Sequence, residues 1–217
     1  MKTTILWDHD GVLVETEPWY FKATQISIRT LGVCLDKAEY LTDMASGRSA
    51  WERASELGAT NEDILLHKSK RDALYQDYLR REDIDIPGVV DVLADLRHDF
   101  QMAIVTTAKR ADFEIIHRRR SIKDHMSFVL CNGDYPRSKP HPDPYLTALA
   151  RFGTAKAATV VIEDSERGLR AAVAAGIDCV IIANEFVKGQ NLSAATHHIN
   201  QISDLPELLR AQAPNAR

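Results

Sequence analysis

Hydrophobic and polar positions divide most of the chain into two alternating kinds of segment. Short apolar runs rich in β-branched residues alternate with amphipathic segments in which apolar residues recur at helical spacing. This alternation predicts an α/β domain with a mainly parallel sheet. The predicted strands span residues 3–7, 102–106, 127–130, 159–162 and 179–182. The predicted helices lie near residues 89–97, 112–119, 144–152, 166–175 and 204–212.

The stretch between about residues 17 and 85 departs from this pattern. It has helical periodicity and no convincing strand. A Pro-Gly pair at positions 87–88 then marks the return of the chain to the α/β pattern. We therefore predict a core domain of residues 1–15 and 86–217, interrupted by an all-helical cap domain of residues 16–85.

Composition and charge narrow the possible functions. With 217 residues, of which 45% are hydrophobic, the chain suits one domain and an insert. A net charge of -4 gives no reason to expect nucleic acid or an acidic membrane as partner. We find no pattern of a signal peptide or a membrane span. Three separate cysteines without a CxxC motif indicate reduced thiols, so we expect a cytoplasmic protein. We also expect a monomer or a weak homodimer.

The strongest chemical signal follows the first predicted strand, in the run DHDGVLVETE. Asp8 and Asp10 are carboxylates two residues apart that can share a cation, and one can attack while the other moves a proton. Gly11 allows a sharp turn beside a ligand, but it follows Asp8 too closely for an EF-hand. Glycosyltransferases and solvated acidic turns also contain such pairs. The pair therefore indicates a function only in combination with later segments of the chain.

Three later segments place polar side chains at or after the ends of predicted strands, where open α/β sheets bind ligands. The first ends in Thr106 and Thr107, either of which could instead cap a helix. The second, SKPHPDPY, holds Lys139 in a frame of alternating prolines, although a loop lysine can simply be solvated. The third is an apolar strand followed by Glu163 and Asp164.

Together, in order and spacing, these four segments resemble the four motifs of the haloacid dehalogenase-like phosphohydrolases. The resemblance extends over the whole chain. It implies a Rossmann-like doubly wound parallel-sheet core with an inserted helical cap. The Glu-Asp-Ser ending and the helical insert are similar to those of the branch with β-phosphoglucomutase, phosphoglycolate phosphatase and sugar-phosphate phosphatases.

This resemblance assigns catalytic roles to the candidates in the core. Asp8 would be the nucleophile that forms an aspartyl-phosphate, and Asp10 would protonate the leaving oxygen and then activate water. Thr106, with Thr107 as the neighbouring alternative, would bind a phosphate oxygen. Lys139 would offset the charge shared by the phosphate and Asp8. The expected substrate is a small phosphorylated metabolite similar to a sugar phosphate.

The resemblance also implies a Mg²⁺ cofactor. Asp8, the backbone carbonyl of Asp10 and Asp164 would supply oxygen ligands, which Mg²⁺ prefers. Glu163 would bind the ion through water or orient another ligand. A cation is needed because a carboxylate that attacks a phosphate dianion must have the repulsion neutralised.

Candidates for substrate binding in the cap are Thr16, Tyr20 and Arg48. Tyr20 occupies the position of a histidine in β-phosphoglucomutase, and it either faces the substrate or packs the first cap helix. Arg48 lies in a segment similar to the substrate-selecting loop of this branch, where it either clamps a second anionic group or starts a helix in solvent. Lys70 and Arg71 are further cap candidates.

Several alternative functions are weighed against the phosphatase. A phosphomutase shares all the core motifs and stays open, although Tyr20 disfavours it. A dehalogenase is disfavoured by Asp10 and Asp164. A phosphonatase would need a cap lysine, and Lys22 lies in the first cap helix, but nothing else in the sequence supports this function. A non-catalytic protein on this fold would be expected to lack one of the motif residues.

Four histidines are interpreted as having no part in the chemistry. His9 stands where the family usually has an apolar residue, and we expect it to point away from the ligand, in a structural or partly exposed position. The basic run that begins at His117 is predicted to be a solvated turn at the end of a surface helix. His197 and His198 lack partners at ligand spacing and are predicted to lie at the surface.

Overall fold

The computed structural model describes residues 2–46 and 48–211. Within the chain, two units are distinguished: one comprises Met1–Glu15 and Asp85–Arg217, and the other comprises Thr16–Ile84. The end of the last predicted helix, at Gln212, lies outside the described residues.

Six parallel strands form the sheet of the first unit, in the spatial order β3-β2-β1-β4-β5-β6. The strands are β1 (Thr4–Trp7), β2 (Gln101–Val105), β3 (Phe128–Leu130), β4 (Thr159–Glu163), β5 (Asp178–Ile182) and β6 (His197–Ile199). The order reverses beside β1, which is the doubly wound arrangement, so the predicted α/β class is confirmed. The sequence analysis missed β6 because this strand has only three residues, two of them histidines.

Nine α-helices are present in the described part of the chain. In chain order they are α1 (Glu17–Arg29), α2 (Lys37–Ser46), α3 (Ala50–Glu56), α4 (Asn61–Arg81), α5 (Val89–Leu96), α6 (Arg110–Ile116), α7 (Asp143–Phe152), α8 (Glu166–Ala175) and α9 (Leu205–Ala211). Helices α5 to α9 belong to the first unit. None of the described helices has both the length and the apolar character needed to cross a membrane.

Strand β1 lies at the centre of the sheet and is buried along its whole length. Its parallel neighbours are β2 and β4, and Trp7 is in register with Ile104 and Ile162. Strands covered on both faces need near-continuous apolar runs, which explains the composition of these segments. This register places the residues that follow Trp7, Val105 and Ile162 at one edge of the sheet.

A cluster of buried side chains joins the sheet to α7 and α8. Tyr145 of α7 and Leu169 of α8 are almost fully buried in this cluster, together with Leu6 of β1 and Val161 of β4. Burial of such apolar surface is the main stabilising contribution to a fold of this kind. The core therefore holds the N-terminal parts of α7 and α8 against the strand ends that carry the candidate residues.

The second unit is helical throughout its described residues. Helix α1 packs on α4, where Trp19 contacts Tyr78 with ring centroids 5.3 Å apart. Helix α4 begins with a capping box, in which the Thr60 hydroxyl accepts from the Asp63 amide and the Asp63 carboxylate accepts from the Thr60 amide. This cap satisfies amide groups that would otherwise lack partners at the helix start.

One expectation about the basic run is wrong. Helix α6 ends at Ile116 and is followed by a 3-10 turn, His117–Arg119, in which Arg118 and Arg119 are exposed but His117 is only 1% exposed. His117 lies one helical turn after Phe113, which is also buried. The spacing of four residues places both rings on the inward face of the segment.

We expect Thr60→Ala to lower the free energy of unfolding of the helical unit by about 1 kcal/mol, because the amides at the start of α4 lose their capping partner. The measurement is urea unfolding followed by circular dichroism. Ser69→Ala, an exposed position inside the same helix, is the matched control and should change stability little. Equal stability of the two variants would contradict the assigned cap.

Candidate active site

The carboxyl ends of β1, β2 and β4 bring the core candidates to one edge of the sheet. The Asp8 amide donates to the Ile162 carbonyl, 2.8 Å away, and the Thr106 amide donates to the Leu130 carbonyl at 2.9 Å. Glu163 is the last residue of β4. Backbone hydrogen bonds to neighbouring strands therefore hold these positions in register.

Lys139 is a buried cation at the centre of the site. Its Nζ lies 2.5 Å from Asp8 Oδ1 and 2.7 Å from Glu163 Oε1, and its side chain is only 2% exposed. Tyr145 of α7 donates from its hydroxyl to the same Glu163 oxygen at 2.7 Å. A buried ammonium is stable only when its charge is paired and hydrogen-bonded, and these contacts meet that condition.

Burial and charge act against each other on the pKa values of these groups. Burial, followed by the charge of Glu163, raises the pKa of Asp8 to about 7 against the opposing effect of Lys139. Burial works to lower the pKa of Lys139, but the two carboxylates raise it above its usual range. For Glu163, burial is outweighed by Lys139 and Tyr145, so its pKa is lowered. Lys139 is therefore charged, which favours the ionised form of its partners.

Glu163 is held on both carboxylate oxygens. While Oε1 accepts from Lys139 and Tyr145, Oε2 accepts from the Asp164 amide at 3.2 Å and the Ser165 hydroxyl at 3.1 Å. Gly168 of α8 comes so close that a Cβ there would lie 1.7 Å from Glu163 Oε1. These contacts suit Glu163 to fixing Lys139 in place.

Asp164 is positioned by Asn184, a residue that the sequence analysis did not single out. The Asn184 amide nitrogen donates to Asp164 Oδ2 at 2.8 Å and to the Gly11 carbonyl at 3.4 Å. Gly11 has φ +83, and a Cβ at this position would lie 2.0 Å from Asp164 Oδ2. Only glycine fits such an approach without strain. Asn184 follows shortly after β5, so the rule that ligands bind at strand ends could have identified it.

Three carboxylates form a group suited to a cation. Asp8, Glu163 and Asp164 each offer an oxygen within 4.8 Å of the others. An all-oxygen set with carboxylates suits Mg²⁺, so the residues fit the expected cofactor. Because both Glu163 oxygens already accept hydrogen bonds, Asp8 and Asp164 are the better candidates for direct ligands.

Asp10 and Thr106 are brought together beside this group. The Thr106 hydroxyl donates to Asp10 Oδ2 at 3.3 Å and accepts from the Ala108 amide at 2.9 Å. Thr107 has a different environment, since its hydroxyl accepts from the Arg167 guanidinium at 3.3 Å. These contacts make Thr106 the better candidate for a role beside the carboxylates, while Thr107 is engaged by α8.

His9 is fully buried, which agrees with the structural alternative of the prediction and not with partial exposure. The His9 Nε2 lies 2.8 Å from His117 Nε2, and the Phe113 ring packs against both imidazoles. The other ring nitrogen of His9, Nδ1, lies 3.4 Å from Asp10 Oδ2. Burial is the main cause that lowers the pKa of His117 to about 3.

The substrate-binding candidates of the helical unit have partners within that unit. Thr16 is buried at the N-cap of α1, and its carbonyl accepts from the Tyr20 amide at 3.1 Å. The Tyr20 ring packs edge-on against Tyr75, and the Arg71 guanidinium lies 4.4 Å from the Tyr20 ring centroid. Arg48 pairs with Glu56 at the surface. Their roles in substrate binding remain predictions.

Comparison with known proteins identifies the family. The family model described as haloacid dehalogenase-like hydrolase matches residues 5–182. Fructose-1-phosphate phosphatase YqaB of Escherichia coli K12 is 26% identical over 180 residues, covering 81% of this chain and 94% of YqaB. The β-phosphoglucomutase of Bacillus subtilis 168 is 27% identical over 223 residues, covering 96% of this chain and 94% of that enzyme.

The fold is also similar to a solved structure. CbbY from Rhodobacter sphaeroides, crystallised in complex with phosphate, superposes with a TM-score of 0.78 at 23% identity. The match covers 94% of this chain and 96% of CbbY. The protein is thus an enzyme of the haloacid dehalogenase-like hydrolase family. Within that family it belongs to the branch that contains phosphatases and β-phosphoglucomutase, as the four motifs predict.

Gly168→Ala should destabilise the protein by at least about 2 kcal/mol, because the added methyl group overlaps the Glu163 carboxylate and breaks its buried hydrogen bonds. The measurement is the free energy of unfolding in urea. Arg170→Ala, at an exposed position of the same helix, is the control and should have little effect. A stability unchanged by the glycine substitution would show that Glu163 can move without cost.

We expect His117 to make the protein less stable in acid. The pKa of His117 is about 3 in the folded protein and 6.5 for an ordinary histidine, as in the unfolded chain. Between these pH values the unfolded chain binds a proton that the folded chain does not. The contribution of His117 to the free energy of unfolding is therefore complete above pH 6.5. It decreases by about 1.4 kcal/mol for each pH unit as the pH falls below that value. His117→Leu should flatten the decline between pH 7 and pH 5, measured by urea unfolding at each pH. An equal decline in both proteins would contradict the assignment.

Proposed function

We propose that this enzyme is a Mg²⁺-dependent phosphatase that hydrolyses a small phosphorylated metabolite similar to a sugar phosphate. The observation that carries the proposal is the contact of Lys139 with Asp8 and Glu163, beside Asp10 and Thr106. A cation fixed against one carboxylate, with a second carboxylate nearby, suits nucleophilic attack coupled to proton transfer.

In the proposed first step, an Asp8 carboxylate oxygen attacks phosphorus and the bond to the leaving oxygen breaks. Asp10 gives its proton to that oxygen, so the alcohol leaves neutral and Asp8 carries the phosphoryl group. In the second step Asp10 removes a proton from water, whose oxygen attacks phosphorus. Phosphate is released, and Asp8 returns to its carboxylate form.

Lys139 and Thr106 stabilise the negative charge that is present during both reaction steps. The ammonium of Lys139 offsets the negative charge that Asp8 and the phosphate bring together, and the Thr106 hydroxyl donates to a phosphate oxygen. Mg²⁺ held by Asp8, Asp164 and the Asp10 carbonyl would supply further positive charge against the repulsion between carboxylate and dianion. Glu163 keeps Lys139 oriented.

The helical unit Thr16–Ile84 is proposed to act as the cap that selects the substrate. Thr16, Tyr20 and Arg48 are its proposed substrate-binding residues, with Thr107 as a further candidate in the core. A guanidinium at Arg48 could bind a second anionic group. We also retain as predictions a cytoplasmic location, in keeping with three free cysteines, and a monomeric or weakly dimeric state.

A phosphomutase of the β-phosphoglucomutase type is the second candidate. The similarity to the Bacillus subtilis enzyme supports it, since that relative covers nearly the whole chain. Hydrolysis and phosphoryl transfer to another hydroxyl need the same groups in the core. Tyr20, at the position of the mutase histidine, favours hydrolysis because its phenol is a poor general base near neutral pH.

The proposal predicts that Mg²⁺ supports phosphate release from a panel of small phosphate esters and that a chelator abolishes it. Asp8→Asn should lower the rate by at least about 1,000-fold, because the amide cannot form the acyl phosphate. The measurement is colorimetric phosphate release. Asp178→Asn, at a carboxylate that pairs with Lys2, is the control and should keep the activity.

Three results would count against the phosphatase. Normal turnover by Asp8→Asn would remove the assigned nucleophile. Release that is unaffected by a chelator would remove the cofactor. No release from any ester, with conversion of a hexose 1-phosphate to its 6-phosphate, would establish the mutase instead.

A further inference from the structure

Two buried histidines lie directly behind the proposed general acid and base. His9 separates Asp8 from Asp10 in the chain and is fully buried, and His117 is 1% exposed. Their Nε2 atoms are 2.8 Å apart, and Phe113 packs against both rings. Buried polar groups cost free energy unless they are paired, so an apolar residue at position 9 would be the simpler choice for packing alone.

Counting protons limits the states of this pair. A contact of 2.8 Å between two ring nitrogens requires one N–H between them, so one imidazole donates and the other accepts. If His9 donates, His117 carries no proton on Nε2 and must place it on Nδ1. That nitrogen is buried and makes no hydrogen bond within the described residues, and the same is true of His9 Nδ1, so burial alone does not choose between the arrangements. If His117 donates, its Nδ1 is only an unprotonated acceptor, and the proton of His9 lies on Nδ1.

Asp10 distinguishes between these two arrangements. His9 Nδ1 lies 3.4 Å from Asp10 Oδ2, a carboxylate oxygen that also accepts from the Thr106 hydroxyl. A lone pair on Nδ1 would face this oxygen unfavourably, whereas an N–H there is attracted to it. The electrostatics thus favour donation from His117 to His9 and a proton on His9 Nδ1. The distance between His9 Nδ1 and Asp10 Oδ2 is longer than that of a typical hydrogen bond. The N–H group therefore orients the negatively charged carboxylate by electrostatic attraction.

We propose that His9 and His117 form a hydrogen-bonded pair that presents the Nδ1–H of His9 to Asp10 and orients its carboxylate for proton transfer. The inference rests on the proposed role of Asp10 in phosphoryl transfer. His9 and His117 are positioning residues, since neither has a place in the reaction itself. His117 acts only through His9, by fixing which nitrogen of that ring carries the proton.

The first test reads the protons without any substrate. In ¹⁵N-labelled protein, two-bond ¹H–¹⁵N correlations of the imidazoles should show the Nδ1–H tautomer for His9 and the Nε2–H tautomer for His117. The Nδ1–H form is the less common one for a free imidazole, so packing alone would not select it. Observation of the Nε2–H tautomer on His9 would overturn the proposal whether or not the protein is a phosphatase.

The second test measures turnover. His9→Leu should lower kcat about 10-fold with KM changed less than about twofold, because substrate binding does not involve the pair. His117→Leu should lower kcat by a smaller factor. The double variant should be no slower than His9→Leu alone, since His117 has no effect once His9 is absent. His125→Leu, at a partly buried histidine outside the pair, is the control and should keep the normal kcat.

Independent, multiplicative losses in the double variant would overturn the coupling between the two histidines. A normal kcat in His9→Leu would overturn the positioning role. If the wild type releases no phosphate, the phosphatase proposal fails, while the tautomer measurement still decides whether the pair is arranged as inferred. Unfolding midpoints recorded for each variant separate a loss of catalysis from a loss of fold.

Discussion

The ammonium of Lys139, buried between the carboxylates of Asp8 and Glu163, is the interaction around which the site is arranged. A charge in such a place is tolerated only if its partners are fixed, because loss of one partner leaves an uncompensated buried charge. This requirement explains why Glu163 accepts hydrogen bonds on both oxygens and why α7 and α8 bring Tyr145 and Gly168 so close to it.

Close approach between groups is also required around Asp164. Gly11 allows Asp164 to lie where any other residue would place a Cβ, and Asn184 holds the Asp164 carboxylate from the segment that follows β5. Polar groups at the strand ends are thus nearly all engaged by neighbours. In the buried His9–His117 pair, by contrast, each ring has a nitrogen without a hydrogen bond in the described residues. Departures from local consistency are expected at functional sites.

Much of the fold and of the core candidates could be predicted, because both depend on local pattern. Apolar runs marked five of the six strands, and the runs of β1, β2 and β4 lead into the polar residues Asp8, Thr106 and Glu163 of the family motifs. Strand β6 was missed because three residues carry too little pattern. His117 was misplaced because its charged neighbours suggested solvent, while its spacing from Phe113 determined the buried face.

The sequence by itself determined the class of fold, the order of the motifs and the chemical types at the strand ends, since these follow from periodicity and residue identity. Only the tertiary structure decided which groups meet: Glu163 with Lys139, Asn184 with Asp164, and His9 with His117. These partners lie between 20 and 108 residues apart in the chain. Their contacts arise from the register of parallel strands and the packing of helices on them, which no local pattern records.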